Sequence, residues 1–414
     1  MTGMAHKGRV LMIIMDGLGD RAVPEFSYRT PLQKARTPNM DWFAQNGSSG
    51  IMDVISPGIR PGSDTAHLAL LGYDPYEVYA GRGPFEAAGI GLIGRKGDVA
   101  FRCNFATVDD DLVVTDRRAG RVKEPDTIEL VEALQSLKMD GIEVIVGLGT
   151  EHRAALILRG EGLSSDVTDV DPHDHVRIWE CKATSEKGER TADAVNEFVA
   201  AAHRILRDHP INVARKSKGL PPANILLPRG AGSFPDIIPF PEKTDMRSAC
   251  VAGVGMIKGI CGICGLDVLE IPACCTGGTG TDMIAKAKVA LEALDEYDFV
   301  LMNIKAPDLS GHDSLADQKV EVIEKMDEMF AYIRERLPDD LVVAMTADHS
   351  TPVSVGDHSG DPVPLTIYSR HMVRDSCKAY NEADCGEGRL GRIRGKDLLP
   401  IVMDMANRSE KYGA

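Results

Sequence analysis

Three short apolar runs, each leading into an acidic residue, constrain this chain more than any other feature. Val10 to Met15 runs directly into Asp16, Phe299 to Ile304 leads through Lys305-Ala-Pro to Asp308, and Leu341 to Ala347 ends at Asp348. None of the three alternates polar with apolar residues, and none has the length of a buried helix. Each therefore reads as a β-strand covered on both faces. Helical patterns lie beside them. Asp282 to Tyr297, rich in Ala, Lys, Leu and Glu, precedes the second run, and the amphipathic Leu315 to Arg336 stops before Pro338 and the third. Buried strands alternating with helices predict an α/β domain with a mostly parallel sheet and helices on both faces. Ligands of such sheets gather beyond the carboxyl ends of the strands, so the three acids are expected on one rim.

The middle of the chain follows another pattern. Short, hairpin-like runs at Val99 to Phe105, Leu112 to Thr115, Ile142 to Val146 and Ala154 to Leu158 alternate with helical stretches at Asp126 to Leu137 and Ala192 to Arg207. A loop dense in Asp and His spans Ser164 to His175. This predicts a smaller α+β insertion over residues 97–218 within a catalytic domain made of 1–96 and 219–414, which suits a chain of 414 residues.

Charge and composition exclude several classes of function. A net charge of −15 argues against a nucleic-acid or anionic-membrane surface. The apolar runs fall far short of the roughly 20 residues that cross a bilayer, and the first residues lack the pattern of a secretory signal. A cytoplasmic protein is expected, with a homo-oligomer left open. Nine cysteines, an odd number without a regular framework, point to thiols in a reducing compartment. Cys261-Gly-Ile-Cys264 and the pair Cys274-Cys275 read as small apolar residues of a glycine-rich helical stretch rather than as a soft-metal site.

The acids at the strand ends have histidines for company. Asp308 and His312 are four residues apart, and on a helix they would share one face. Asp348 and His349 are adjacent, and His358 follows in the glycine-flanked loop Gly356-Asp-His-Ser-Gly360. With Asp16 these make three carboxylates and three imidazoles, a mixture that suits Mn²⁺ or Zn²⁺ and Mg²⁺ less well. Six protein ligands are too many for one catalytic ion that keeps an open position, so two ions are expected. Ser63 is the candidate nucleophile: Pro61-Gly62 makes a turn, and the residues after Ser63 continue as a helix. The dipole and free amides of a helix N-terminus favour a phosphate, and a coordinated cation activates a serine hydroxyl. Taken alone Ser63 reads as an N-cap; beside this ligand set it reads as the nucleophile.

These residues lie in motifs that run the length of the chain. They are Met15-Asp-Gly-Leu-Gly-Asp20, Thr37-Pro-Asn39, Pro61-Gly-Ser-Asp-Thr-Ala-His67, Gly81-Arg-Gly-Pro-Phe-Glu-Ala87, Gly149-Thr-Glu-His-Arg-Ala154, Lys305-Ala-Pro-Asp-Leu-Ser-Gly-His312, Ala347-Asp-His-Ser-Thr-Pro352 and Asp357-His-Ser-Gly-Asp-Pro362. In them the chain resembles the archaeal-type cofactor-independent phosphoglycerate mutases of the alkaline phosphatase superfamily. The resemblance implies an alkaline-phosphatase-like α/β domain interrupted by a smaller substrate domain. It also implies interconversion of 3-phosphoglycerate and 2-phosphoglycerate in glycolysis and gluconeogenesis, without bisphosphoglycerate and through a phosphoserine at Ser63. By the same resemblance Asp16, Ser63, Asp348 and His349 hold one divalent ion, and Asp308, His312 and His358 the other. Mn²⁺ is the expected metal, with Zn²⁺, Co²⁺ and Mg²⁺ as alternatives. Lys305, close to these ligands, is expected to act in catalysis. Arg102, Arg118, Arg121, His152 and Arg153 of the insertion are expected to bind the small phosphorylated substrate, since arginines capture carboxylate and phosphate through paired hydrogen bonds. The alternative is another phosphotransferase of the superfamily, a phosphomonoesterase or a phosphopentomutase, with the same ions and nucleophile.

Overall fold

The three apolar runs fold as the strands Arg9–Met15, Phe299–Ile304 and Leu341–Thr346 in a computed structural model that describes residues 7–411 and 413. Arg9–Met15 lies between the other two and parallel to both, with Ile14 opposite Asn303 on one side and Thr346 on the other. This register brings all three carboxyl ends to the same level. Every residue of the three strands except Arg9 is buried, so both faces of the sheet are covered, as their unbroken apolar sequences require.

These strands are the centre of an eight-stranded sheet. Its order is Gly391–Arg394, Ser48–Asp53, Val363–Tyr368, Leu341–Thr346, Arg9–Met15, Phe299–Ile304, Ser248–Val251 and Asp267–Val268. Only Val363–Tyr368 runs antiparallel to its neighbours. The helices Pro38–Asn46, Met283–Ala293 and Ala316–Arg334 pack together, and Ser63–Leu70, Gly255–Ile263 and Gly395–Met405 form a second group. The helix Met283–Ala293 is shorter than its sequence pattern, Asp282 to Tyr297, and begins at a cap. Asp282, read as helical, lies outside the helix and accepts a hydrogen bond from the Ala285 amide at 2.8 Å. All nine cysteines are free thiols, and Cys261 and Cys264 are buried at the Gly255–Ile263 helix. Among the described residues no helix is long and apolar enough to cross a membrane.

This unit comprises residues up to Val78 and from Ile237 onward; Tyr79–Asp236 forms a second. The second unit has a five-stranded antiparallel sheet in which Val99–Val108 pairs with Val114–Asp116, Arg153–Arg159 and Ile225–Ser233, and Glu143–Leu148 pairs with Arg153–Arg159. Phe101, Phe105, Leu156, Leu158, Phe198 and Leu206 are among its core residues. The unit is wider than the stretch 97–218 marked out from the sequence. On one side the Gly83–Gly89 helix packs on Val99–Val108, and a Cβ at Gly83 would lie 2.0 Å from the Ala100 carbonyl oxygen. On the other, Ile225–Ser233 lies beyond the turn-rich Lys218 to Pro222, which is a turn within the unit.

Two lysines are fully buried in the first unit, Lys286 and Lys319. Lys319, on the Ala316–Arg334 helix, donates to Asp20 Oδ2 at 2.7 Å, to the Thr351 carbonyl at 2.9 Å and to the Gly19 carbonyl at 3.2 Å. Burial lowers its pKa, and the Asp20 carboxylate opposes that shift. Removing one member of such a pair strands the other in a low-dielectric interior. Asp20→Ala is expected to lower unfolding free energy by about 3–5 kcal/mol in guanidinium titrations, and the double change Asp20→Leu with Lys319→Met by much less.

Candidate active site

The strand register determines what meets at the carboxyl rim. Asp16 follows Arg9–Met15 directly, Asp308 lies in the Ala306–His312 helix just past Phe299–Ile304, and Asp348 and His349 follow Leu341–Thr346. All four side chains are buried. Gly17 allows them to approach: it adopts φ 67°, and a Cβ there would lie 2.6 Å from Asp308 Cα and 2.7 Å from Thr351 Oγ1. The Lys305 ammonium sits between two of the acids, 2.7 Å from Asp16 Oδ1 and 2.7 Å from Asp308 Oδ2.

All seven residues expected as ligands come together here. His349 Nε2 lies 3.6 Å from Asp16 Oδ1, 3.4 Å from Asp348 Oδ2 and 3.3 Å from Ser63 Oγ. Asp308 Oδ1 lies 3.4 Å from His312 Nε2 and 3.5 Å from His358 Nε2. Three sets of ligand atoms each fall within 4.8 Å of one another: Asp16 with Asp348 and His349, Asp308 with His349 and His358, and His312 with Asp357 and His358. His349 thus stands between two sets. Asp357, which the sequence presented only as a neighbour of His358, joins the third, where it and His312 are exposed. Ser63 opens the Ser63–Leu70 helix and is itself buried.

Hydrogen bonds fix which histidine nitrogens are free. His358 Nδ1 donates to the Pro61 carbonyl at 2.8 Å, and His312 Nδ1 to the Gly356 carbonyl at 3.0 Å. A carbonyl only accepts, so Nδ1 carries a proton in each ring; in the neutral ring the Nε2 lone pair faces Asp308. This is the arrangement of metal-ligating histidines. His67 Nδ1 likewise donates to the Ser63 carbonyl at 2.7 Å, and the Asn303 amide bridges His67 Nε2 at 3.3 Å and Asp16 Oδ2 at 3.2 Å. Sequence reasoning missed both residues. The one signal was Asn303 itself, a polar residue inside an otherwise apolar run.

Three buried carboxylates share a single ammonium. Burial, and then the charge of Asp16, pushes the Asp348 carboxyl up to about 8, and its Oδ2 has no hydrogen-bond partner. Burial raises the Asp308 carboxyl too, but Lys305 and His349 outweigh it and hold the group well below the usual range. Burial lowers His349 to about 4, and burial followed by the nearby His349 lowers His358, shifts that favour the neutral form of both rings. A buried, unpartnered carboxylate oxygen among converging imidazole lone pairs fits divalent cations, which neutralise the carboxylates and take the free lone pairs.

The second unit holds a cavity of about 390 Å³ lined by Arg102, Asn104, Arg117, Arg118, Arg121, Glu151, His152, Arg153 and Arg229. The five insertion residues expected to bind substrate are all among them. Asn104, Arg117, Glu151 and Arg229 had not been singled out. Five buried polar atoms here have no hydrogen-bond partner: the Nε atoms of Arg102, Arg117 and Arg229, Asn104 Oδ1 and His152 Nδ1. Burial lowers Arg102 to about 10, with Glu86 opposing and Arg229 adding to the shift. Burial, then Arg153, lowers His152. A concave group of arginines with unused donors is suited to a small anion.

A serine at a helix N-terminus facing clustered Asp and His ligands, with an arginine-lined anion cavity elsewhere in the chain, is the equipment of a metal-dependent phosphoryl-transfer enzyme. The comparisons with known proteins narrow that class. Residues 44–212 match the family model described as 2,3-bisphosphoglycerate-independent phosphoglycerate mutase. The chain is 49% identical to 2,3-bisphosphoglycerate-independent phosphoglycerate mutase 1 of Methanocaldococcus jannaschii, over 99% of this chain and 100% of that one. It is 50% identical to the enzyme of the same name from Methanopyrus kandleri, over the full length of both. Among solved structures, the cofactor-independent phosphoglycerate mutase of Thermoplasma acidophilum superposes with a TM-score of 0.75 at 38% identity, covering 96% of this chain and 100% of that one. A Pyrococcus horikoshii protein superposes with a TM-score of 0.86 at 40% identity, covering 99% and 100%. The chain belongs to the family of 2,3-bisphosphoglycerate-independent phosphoglycerate mutases.

The raised Asp348 carboxyl has a measurable consequence. Below about pH 8 a cation must displace its proton, whereas neutral His349 and His358 set no such barrier. Isothermal titration of chelator-treated protein with Mn²⁺ is expected to show affinity rising by up to about tenfold per pH unit toward pH 8 and levelling above it. Affinity independent of pH over this range would contradict the assignment.

Proposed function

We propose that this chain interconverts 3-phosphoglycerate and 2-phosphoglycerate, in glycolysis and gluconeogenesis in the cytosol, through a phosphoserine at Ser63. The observation that carries the reading is Ser63 Oγ at the head of a helix, 3.3 Å from His349 Nε2, among buried aspartates and histidines at one sheet rim. The names of the relatives support the same substrate.

In this reading Asp16, Ser63, Asp348 and His349 would hold one divalent ion, and Asp308, His312 and His358 a second, Mn²⁺ being the best match to mixed carboxylate and imidazole ligands. Such ions, when bound, supply neutralisation of phosphoryl charge and a lowered pKa for the serine hydroxyl. Ser63 Oγ attacks phosphorus in line; the phosphorus–oxygen bond to glycerate breaks as the bond to Ser63 forms. The first-turn amides of the Ser63–Leu70 helix and the Lys305 ammonium stabilise the transferred group. The other hydroxyl of glycerate then attacks the phosphoserine, which restores Ser63. Glycerate must stay bound between the two transfers, since release followed by water attack would make the enzyme a phosphatase. Arg102, Arg118, Arg121, His152 and Arg153, joined by Arg117 and Arg229, are suited to hold its carboxylate.

An enolase-coupled assay on 3-phosphoglycerate with Mn²⁺ and without bisphosphoglycerate tests this. Turnover is expected, abolished by chelator and reduced roughly 10³-fold or more in Ser63→Ala. Arg118→Ala is expected to raise KM about 10- to 100-fold, the effect of losing one charge-assisted hydrogen bond, with a smaller change in kcat. Release of inorganic phosphate without isomerisation would overturn the mutase reading while leaving the nucleophile in place.

A further inference from the structure

Thr351 is buried beside His349 and Asp308, at the point where the ligand sets meet. Its hydroxyl lies 3.0 Å from His349 Nδ1 and 2.7 Å from Asp308 Oδ1. The directions of these bonds follow from chemistry. The Thr351 hydroxyl donates to Asp308 Oδ1, a carboxylate oxygen that accepts. The single hydroxyl proton is then used, and Thr351 can only accept from His349. The His349 proton is therefore on Nδ1, and the Nε2 lone pair is directed at Asp16, Asp348 and Ser63.

The backbone around Thr351 is built to hold that hydroxyl in place. Its amide donates to the Gly19 carbonyl at 3.0 Å, and its carbonyl accepts from the buried Lys319 ammonium at 2.9 Å. Lys319 also donates to the Gly19 carbonyl, so one cation ties together the loops that follow two of the metal-site strands. Gly17 and Gly311 leave the room: a Cβ at Gly17 would lie 2.7 Å from Thr351 Oγ1, and one at Gly311 would lie 2.3 Å from the Thr351 carbonyl oxygen.

We propose that Thr351, seated by Lys319, is the positioning residue that sets the His349 tautomer and joins the Asp308 ligand set to the Asp16–Asp348 set. It acts through its neighbours and touches no substrate. This inference rests on the metal-dependent reading above. It predicts that the hydroxyl is needed for cation affinity and not for the chemical step.

The test is Mn²⁺ titration calorimetry on chelator-treated parent protein, Thr351→Val and Thr351→Ser, with thermal unfolding as a control for folding. Thr351→Val is expected to bind Mn²⁺ about 10- to 100-fold more weakly, the usual effect of losing an outer hydrogen-bond partner of a metal ligand. Thr351→Ser, which keeps the hydroxyl, should bind as the parent does. Turnover of Thr351→Val should fall at limiting Mn²⁺ and recover at saturating Mn²⁺ with KM for phosphoglycerate unchanged, a pattern that general loosening of the fold does not produce. If Thr351→Val does not fold, Thr351→Ala takes its place. A parent protein that binds Mn²⁺ no more tightly than the hydroxyl-free variant overturns the inference alone, as does Thr351→Ser binding as weakly as Thr351→Val. A folded parent protein that takes up no Mn²⁺ overturns the metal-dependent reading and this inference with it.

Discussion

The structure depends on holding Asp16, Asp308 and Asp348 together inside the protein. Carboxylates confined at this distance repel one another, and burial strengthens the repulsion because no water screens it. Burial first, and then the charge of Asp16, drives the Asp348 carboxyl up to about 8, and the Lys305 ammonium is drawn between the other two acids. No loop could hold such a group by itself. The central strands can, because their apolar residues are buried on both faces and their register is fixed by parallel pairing on both sides of Arg9–Met15. The stability of the sheet interior thus offsets the instability of its rim.

The rim also needs its histidines to present lone pairs inward; the Thr351 hydroxyl faces His349 Nδ1, and for three other histidines the partner is backbone. His67, His312 and His358 each give their Nδ1 proton to a main-chain carbonyl. Those carbonyls belong to Ser63, Gly356 and Pro61, so the loop that carries the candidate nucleophile also orients one of the ligands. Moving Ser63 would therefore disturb His67 and the Pro61–His358 contact at the same time. Nucleophile and ligand set behave as one object.

Much of this was legible in the sequence, and the boundary of legibility has a physical meaning. The strand-end acids could be read because unbroken apolar runs have one structural meaning in a covered sheet, and because ligands gather at strand ends. His312 could be paired with Asp308 from helical spacing alone. Asn303, His67, Thr351 and Asp357 could not be assigned, since their roles arise only when separate loops close on one another. The limits of the second unit were drawn too narrowly for a similar reason. Lys218 to Pro222 has the composition of a linker, and only the pairing of Ile225–Ser233 with Val99–Val108 reveals it as a turn.

That pairing also explains why Arg229 was overlooked and why it matters. Arg229 is the register partner of Arg102 on the neighbouring strand, a placement of like charges that opposes sheet formation. Asp171 lies 3.5 Å from Arg229 and Glu86 lies 3.6 Å from Arg102, yet each arginine keeps a buried Nε with no partner. Burial lowers both guanidinium pKa values, and the charge of Arg229 lowers Arg102 further. A sheet selected for stability alone would not set two cations side by side there with donors unused. The strain is of one kind with that at the sheet rim, where carboxylates are crowded: each unit concentrates charge of one sign, and a ligand of the other sign would relieve it, cations at the rim and an anion in the arginine cavity. A phosphoryl-transfer enzyme of the proposed kind, acting on a phosphorylated acid with divalent cations at its nucleophile, would need both.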